Sequence, residues 1–156
     1  MNQESNTSDA LRELSKEELA ETLKLHAQWA QSGGAQGQAA NLKQARLKGG
    51  VFMAAQLKNA NFEGAYLYGA YLKKADMEGA CMKGANLRGA NLRWTNLKGA
   101  DLRGANLMRA DCLHAVFEGA DLRGANLKMA EGLKAEQIAS AQTDATTILP
   151  DDISGL

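Results

Sequence analysis

A period of five constrains this chain more than any other feature. From Ala80 to Ala130 the sequence reads in units such as Ala85-Asn86-Leu87-Arg88-Gly89 and Ala125-Asn126-Leu127-Lys128-Met129. The unit is Ala, then Asn or Asp, then Leu, then a charge, then usually Gly. Ala-x-Leu is an in-out-in alternation, the side-chain period of an extended strand. The last two positions must turn the chain, and Gly at the fifth suits a type II turn, which needs a positive φ there. A helix is excluded, because a five-residue period drifts around a 3.6-residue turn. One short strand and one turn per unit make a chain that keeps turning the same way. It must close into coils that pair their backbones along an axis.

The units run without insertion from Ala40 to Met129, with centres from Leu42 to Leu127 that are apolar or Cys. Only Gly50 and Thr95 replace the opening Ala. Ala130-Glu131-Gly132-Leu133 breaks the register.

Tandem Ala-(Asn/Asp)-Leu-x-x resembles the pentapeptide-repeat family. The resemblance implies an all-β solenoid, a right-handed quadrilateral β-helix with four pentads and twenty residues per coil. Residues 40–133 then make about five coils. It also implies a short C-terminal helical cap. Ala135 to Ala141 reads as that helix, although Lys134 stands where the family often has Ser or Thr.

Residues 1–14 are expected to be disordered, Met1 to Asp9 being polar apart from Met1 itself. Residues 15–33 hold an N-terminal capping α-helix, at about Lys16 to Gln31. Ser15 and Glu18 have the spacing of a capping box, and Leu19, Leu23, Ala27 and Ala30 form an apolar stripe. Its apolar side is expected on the first coil. Gly33 and Gly34 stop the helix, and a flexible linker of residues 34–39 leads to the repeats. Residues 134–156 form the C-terminal cap.

The chain has 18 basic and 18 acidic side chains. The repeat body is nonetheless basic, and both flanks are acidic. The N-terminus has no apolar run for a signal peptide, and no stretch approaches the roughly 20 apolar residues of a membrane span. A cytoplasmic location is expected, with no membrane partner. Cys81 and Cys112 are too few for a disulfide framework, and they fall on different sides of the coil.

No catalytic constellation is legible. Asp111, Cys112 and His114 look like a metal triplet, but Cys112 is a coil centre while its neighbours point outward. No metal site, cofactor or enzymatic activity is expected. Asn and Asp at second positions are assigned to backbone bonding.

Stacked at twenty residues, the repeats make four unequal sides. On the third, centred on Phe52, Leu72, Leu92 and Cys112, the fifth positions are Ala54, Lys74, Trp94 and His114, without Gly. Turns other than type II are expected there. That side also presents Tyr71, Arg93 and Leu113, and the adjoining side adds Tyr66, Tyr68 and Met108. Clustered exposed aromatics with Arg mark interaction surfaces. The candidate surface therefore comprises Tyr66, Tyr68, Tyr71, Lys74 and Arg93, with Trp94, Met108, Leu113 and His114.

The reading is a non-enzymatic protein-interaction scaffold, a monomer or a C-terminal end-to-end dimer, with an unknown protein partner. One alternative is the DNA mimicry of gyrase-protecting relatives, which present an acidic rod. The other is nucleic-acid binding through Lys43, Lys83, Arg103 and Arg123, a column interrupted by Glu63. Lys58, Glu78, Lys98 and Glu118 read as cross-coil ion pairs.

Overall fold

The structure, a computed structural model, describes residues 10–153. Between residues 40 and 131 the backbone winds into stacked coils. Parallel β-bridges join residues twenty apart, from Asn41 to Asn61 through Asp111 to Glu131. Four pentads therefore make one turn of the solenoid. The four sides are numbered here by their centres: side one contains Met82, side two Leu87, side three Leu92 and side four Leu97.

Each pentad accounts for its backbone donors in the same way. In the unit from Ala85 to Gly89, Asn86 N–H donates to Ala65 O in the preceding coil (2.9 Å). Leu87 and Gly89 N–H donate to Asn106 and Met108 O in the following coil (2.7 and 3.0 Å). The next Ala, Ala90, closes the corner by donating to Leu87 O (3.0 Å). The fourth donor, Arg88 N–H, goes to the Asn86 side chain (3.1 Å). Second-position Asn or Asp thus satisfies the one donor that neither coil nor corner uses. All eleven such residues, from Asn41 to Asn126, make this bond.

One expectation needs correcting. The pentads do not form strands: every pairing among the described residues is an isolated single-residue bridge. With two of five residues turning the corner, the flat segment is too short for consecutive pairs. The solenoid is held by β-type bonds without β-strands.

The opening Ala and the centre of each unit fill the interior, where the centres are completely or almost completely buried. Burying one such Leu is worth about 1.5–3 kcal/mol against the unfolded chain. Both departures at the opening position have local causes. A Cβ at Gly50 would lie 2.6 Å from the Phe52 ring, which occupies the space. Thr95 is fully buried, and its hydroxyl donates to Leu72 O (2.8 Å).

Helix α1 spans Lys16–Gln31. Its capping box is formed: Ser15 Oγ accepts from Glu18 N–H, and Ser15 N–H donates to the Glu18 carboxylate. Leu14, Leu19 and Leu23 pack against the core. At the other end, α2 spans Ala135–Ala139, two residues shorter than expected. Lys134 makes no side-chain cap bond. Gln137 replaces it, accepting from Lys134 N–H (2.7 Å) and donating to Ala115 O (2.7 Å) and Cys112 O (3.1 Å). Gln142 and Ile148 then continue the ladder by bridging to Asp121 and Asn126.

Two further expectations fail near the N-terminus. The expected disorder of 1–14 does not extend to its end. Residues 1–9 lie outside the described residues, but Arg12 bridges to Ala45, exchanging bonds with Gln44 O and Arg46 N–H. Glu13 pairs with Arg46. The linker is also bonded to α1 rather than free of it. Gln38 N–H donates to Leu25 O (3.0 Å), and a Cβ at Gly37 (φ +74°) would sit 2.1 Å from that oxygen. Its glycines serve close contact with α1.

Candidate interaction surface

Sides two and three carry the residues singled out in the sequence. Tyr68, Tyr71, Lys74, Trp94 and His114 are exposed, and Tyr66, Arg93, Met108 and Leu113 are half-buried. Apart from Tyr71, the aromatic groups form two clusters. Trp94 stacks on His114, one coil away, with centroids 5.4 Å apart and an interplanar angle of 26°. Lys73 and Arg93 lie over the indole at 5.3 and 5.1 Å, and Arg93 also pairs with Asp111 (3.2 Å). Tyr66 stacks on Tyr68 at 6.2 Å, and Lys48 sits over Tyr68 at 5.8 Å. Lys73 and Lys48 were absent from the residues read as a surface. Their side chains become relevant because the coil sets them against these rings.

The corners of side three depart from expectation. Ala54, Lys74, Trp94 and His114 have φ of 55°, 61°, 55° and 58°, close to the 65° of Gly84. The missing glycines do not change the turn. Trp94 N–H donates to Leu113 O and Lys74 N–H to Arg93 O, both at 3.0 Å, so coil stacking dictates the corner. A non-glycine residue in this region costs on the order of 1 kcal/mol. Eight non-glycine residues among those described have positive φ, and six lie on sides two and three. Tyr66 and Tyr71 also occupy second positions, where Asn or Asp would bond the fourth backbone donor.

Charge divides along the same line. From Ala40 to Met129, sides two and three carry eight basic residues and one acidic, Asp111. Sides one and four carry six of each. There the charges neutralise locally: Lys43 pairs with Glu63, Lys58 with Glu78 and Lys98 with Glu118, at 3.1–3.2 Å. Arg103 and Arg123 bind Asp101 and Asp121, whose carboxyls these bonds hold below the usual carboxylate range. The basic column proposed for nucleic acid is thus mostly neutralised.

The metal triplet is not assembled. Cys112 is fully buried, where desolvation raises its thiol pKa to about 12, while His114 is on the surface. Both cysteines are free thiols. No helix among the described residues is long and apolar enough to cross a membrane.

Sequence reasoning missed one buried polar residue. His26 on α1 is fully buried, and its Nδ1 accepts from Ala40 N–H (3.0 Å) at the start of the repeats. Its Nε2 completes no hydrogen bond. Burial lowers the imidazole pKa below 6.5, opposed by the nearby Lys58 carbonyl. A lone His in a helix carries no spacing signal that would have revealed this contact.

Pentads stacked at a twenty-residue register by parallel bridges define a β-helical solenoid. The sequence matches the family described as pentapeptide repeats, in eight copies, over residues 38–69, 51–89 and 85–128. The chain belongs to the pentapeptide-repeat family. It is similar to the crystal structure of the pentapeptide repeat protein Rfr23 from the cyanobacterium Cyanothece 51142. Identity is 30%, covering 75% of this chain and 69% of that one, with a TM-score of 0.53. It is also similar to a pentapeptide repeat protein of the Arabidopsis thaliana thylakoid lumen, at 29% identity and TM-score 0.53, covering 65% and 72% of the two chains. A pentapeptide repeat protein of Nostoc Pcc 7120 shares the fold at 24% identity and TM-score 0.60, covering 78% and 93%. No curated protein matches the sequence.

Proposed function

We propose that this protein is a non-enzymatic, cytoplasmic scaffold that binds a protein partner through sides two and three. The carrying observation is where the repeat departs from its own rule. Tyr66 and Tyr71 displace residues that would satisfy a backbone donor, and Trp94 and His114 occupy left-handed corners that favour glycine. Each of these four departures forgoes stability and places an aromatic ring on the same two sides. DNA mimicry of a gyrase substrate needs an acidic rod, whereas these pentads are net basic.

Restoring the repeat rule supplies the test. Tyr71→Asn adds the missing donor bond and Trp94→Gly removes the corner strain, so both variants should melt within a few degrees of the parent. A partner cross-linked to the parent protein in extract of the source cell should be lost from both. Undiminished capture by the folded variants would remove this surface from consideration.

A further inference from the structure

The surface on sides two and three also has a chemistry, and we propose that its partner is an acidic protein segment whose carboxylates lie along these two sides. The inference rests on the scaffold reading above and specifies the partner it takes.

Charge argues first. All of the net positive charge of the pentads is on these sides, and sides one and four cancel to zero. Of the eight basic residues, only Arg46 and Arg93 have carboxylate partners among the described residues. Lys48, Lys73, Lys74, Arg88, Arg109 and Lys128 have none. A local excess of unpaired cations on one surface sets up a field that attracts anions and orients their approach. The coil repeat contributes the second argument. Fourth-position side chains recur at each coil, about 4.8 Å apart along the axis. Lys73 and Arg93 therefore form a row with their neighbours on side two, Arg88 among them, that an extended chain can follow. The three tyrosines add hydroxyl donors on the same surface.

Ring geometry favours carboxylates over nucleobases. A base stacks on an open aromatic face. Trp94 already stacks on His114 beneath Lys73 and Arg93, and Tyr68 stacks on Tyr66 beneath Lys48. Apart from Tyr71, the rings of this surface are engaged with one another, and the cations hold positions over them. The surface therefore presents cations and hydroxyls outward.

The test uses the full chain and two fluorescent probes: a fifteen-residue peptide of alternating Glu and Ser, and a fifteen-nucleotide oligothymidylate. The peptide should bind at low salt and weaken at least tenfold in 0.5 M salt. Combined Lys73→Glu and Lys74→Glu substitutions should weaken peptide binding at least tenfold. The matched pair Lys83→Glu and Lys98→Glu, on sides one and four, should change it less than twofold. If the first pair lowers the melting temperature, Arg88→Glu with Lys128→Glu on side two makes the same comparison. No peptide binding at low salt, equal loss in both pairs, or tighter binding of the oligonucleotide each overturns the proposal. The partner captured by the parent separates the two readings. Capture lost in Tyr71→Asn but kept in the charge reversals removes the acidic partner and leaves the scaffold. Capture kept in all of them removes both.

Discussion

At the scale of single residues, the exceptions carry most of the information. Thr95 stands where Ala is the rule and bonds to Leu72 O, which also accepts from Ala75 N–H (2.9 Å). Thr95→Val keeps the shape and strands no carbonyl, so it should cost about 1 kcal/mol or less. Gly50→Ala restores the rule but drives a methyl into Phe52, so it should cost about 1–3 kcal/mol. Denaturant titration should thus find the consensus substitution more damaging than the removal of a buried hydroxyl. The reverse order would mean that Phe52 moves freely. Gly50 and Thr95 were visible as exceptions in the sequence, and their causes were not. Each depends on a neighbour whose position only the folded coil defines. Trp94 shows the opposite error. Its side-chain identity suggested a different corner, but bonds to the adjacent coils set the backbone there.

The elements at the two ends differ in legibility. The capping box of α1 is a local device, written in Ser15 and Glu18, and its boundaries followed from adjacent residues. His26 and Gln137 act across 14 and 22–25 residues respectively, so no local pattern announces them. His26 also makes the N-terminal cap sensitive to acid. Its Nδ1 must stay unprotonated to accept from Ala40 N–H, and burial lowers its pKa in the folded state. Between that lowered value and 6.5, the unfolded chain binds the proton more readily. Stability contributed by neutral His26 is therefore complete above 6.5 and declines as the pH falls through this window. Melting temperatures from pH 7.5 to 5 should fall more steeply for the parent than for His26→Asn, whose side-chain oxygen can accept the same bond without titrating. Parallel curves would show that another group governs the acid response.

For the whole molecule, the repeat made the solenoid legible and left its electrical asymmetry hidden. The formal charge is zero, and even the basic repeat body does not reveal that all of its excess lies on adjoining sides. That division appears only after the twenty-residue register sorts the chain. Partner preference is correspondingly a property of the wound coil, beyond any local motif.

The twenty-residue register also turns residue number into direction. Bridges between positions twenty apart mean that the remainder after division by twenty gives a side chain's bearing around the axis. Edits in length are therefore rotations. Removing residues 80–99 excises one full revolution and leaves every later side chain on its original bearing. Removing residues 85–89 turns everything beyond them by one side, setting the C-terminal cap against the wrong edge of the last coil. The longer deletion should retain a cooperative thermal transition, and the shorter one should lose several degrees more. In such a chain, evolution by whole revolutions preserves the compass, and loss of a single pentad re-aims it.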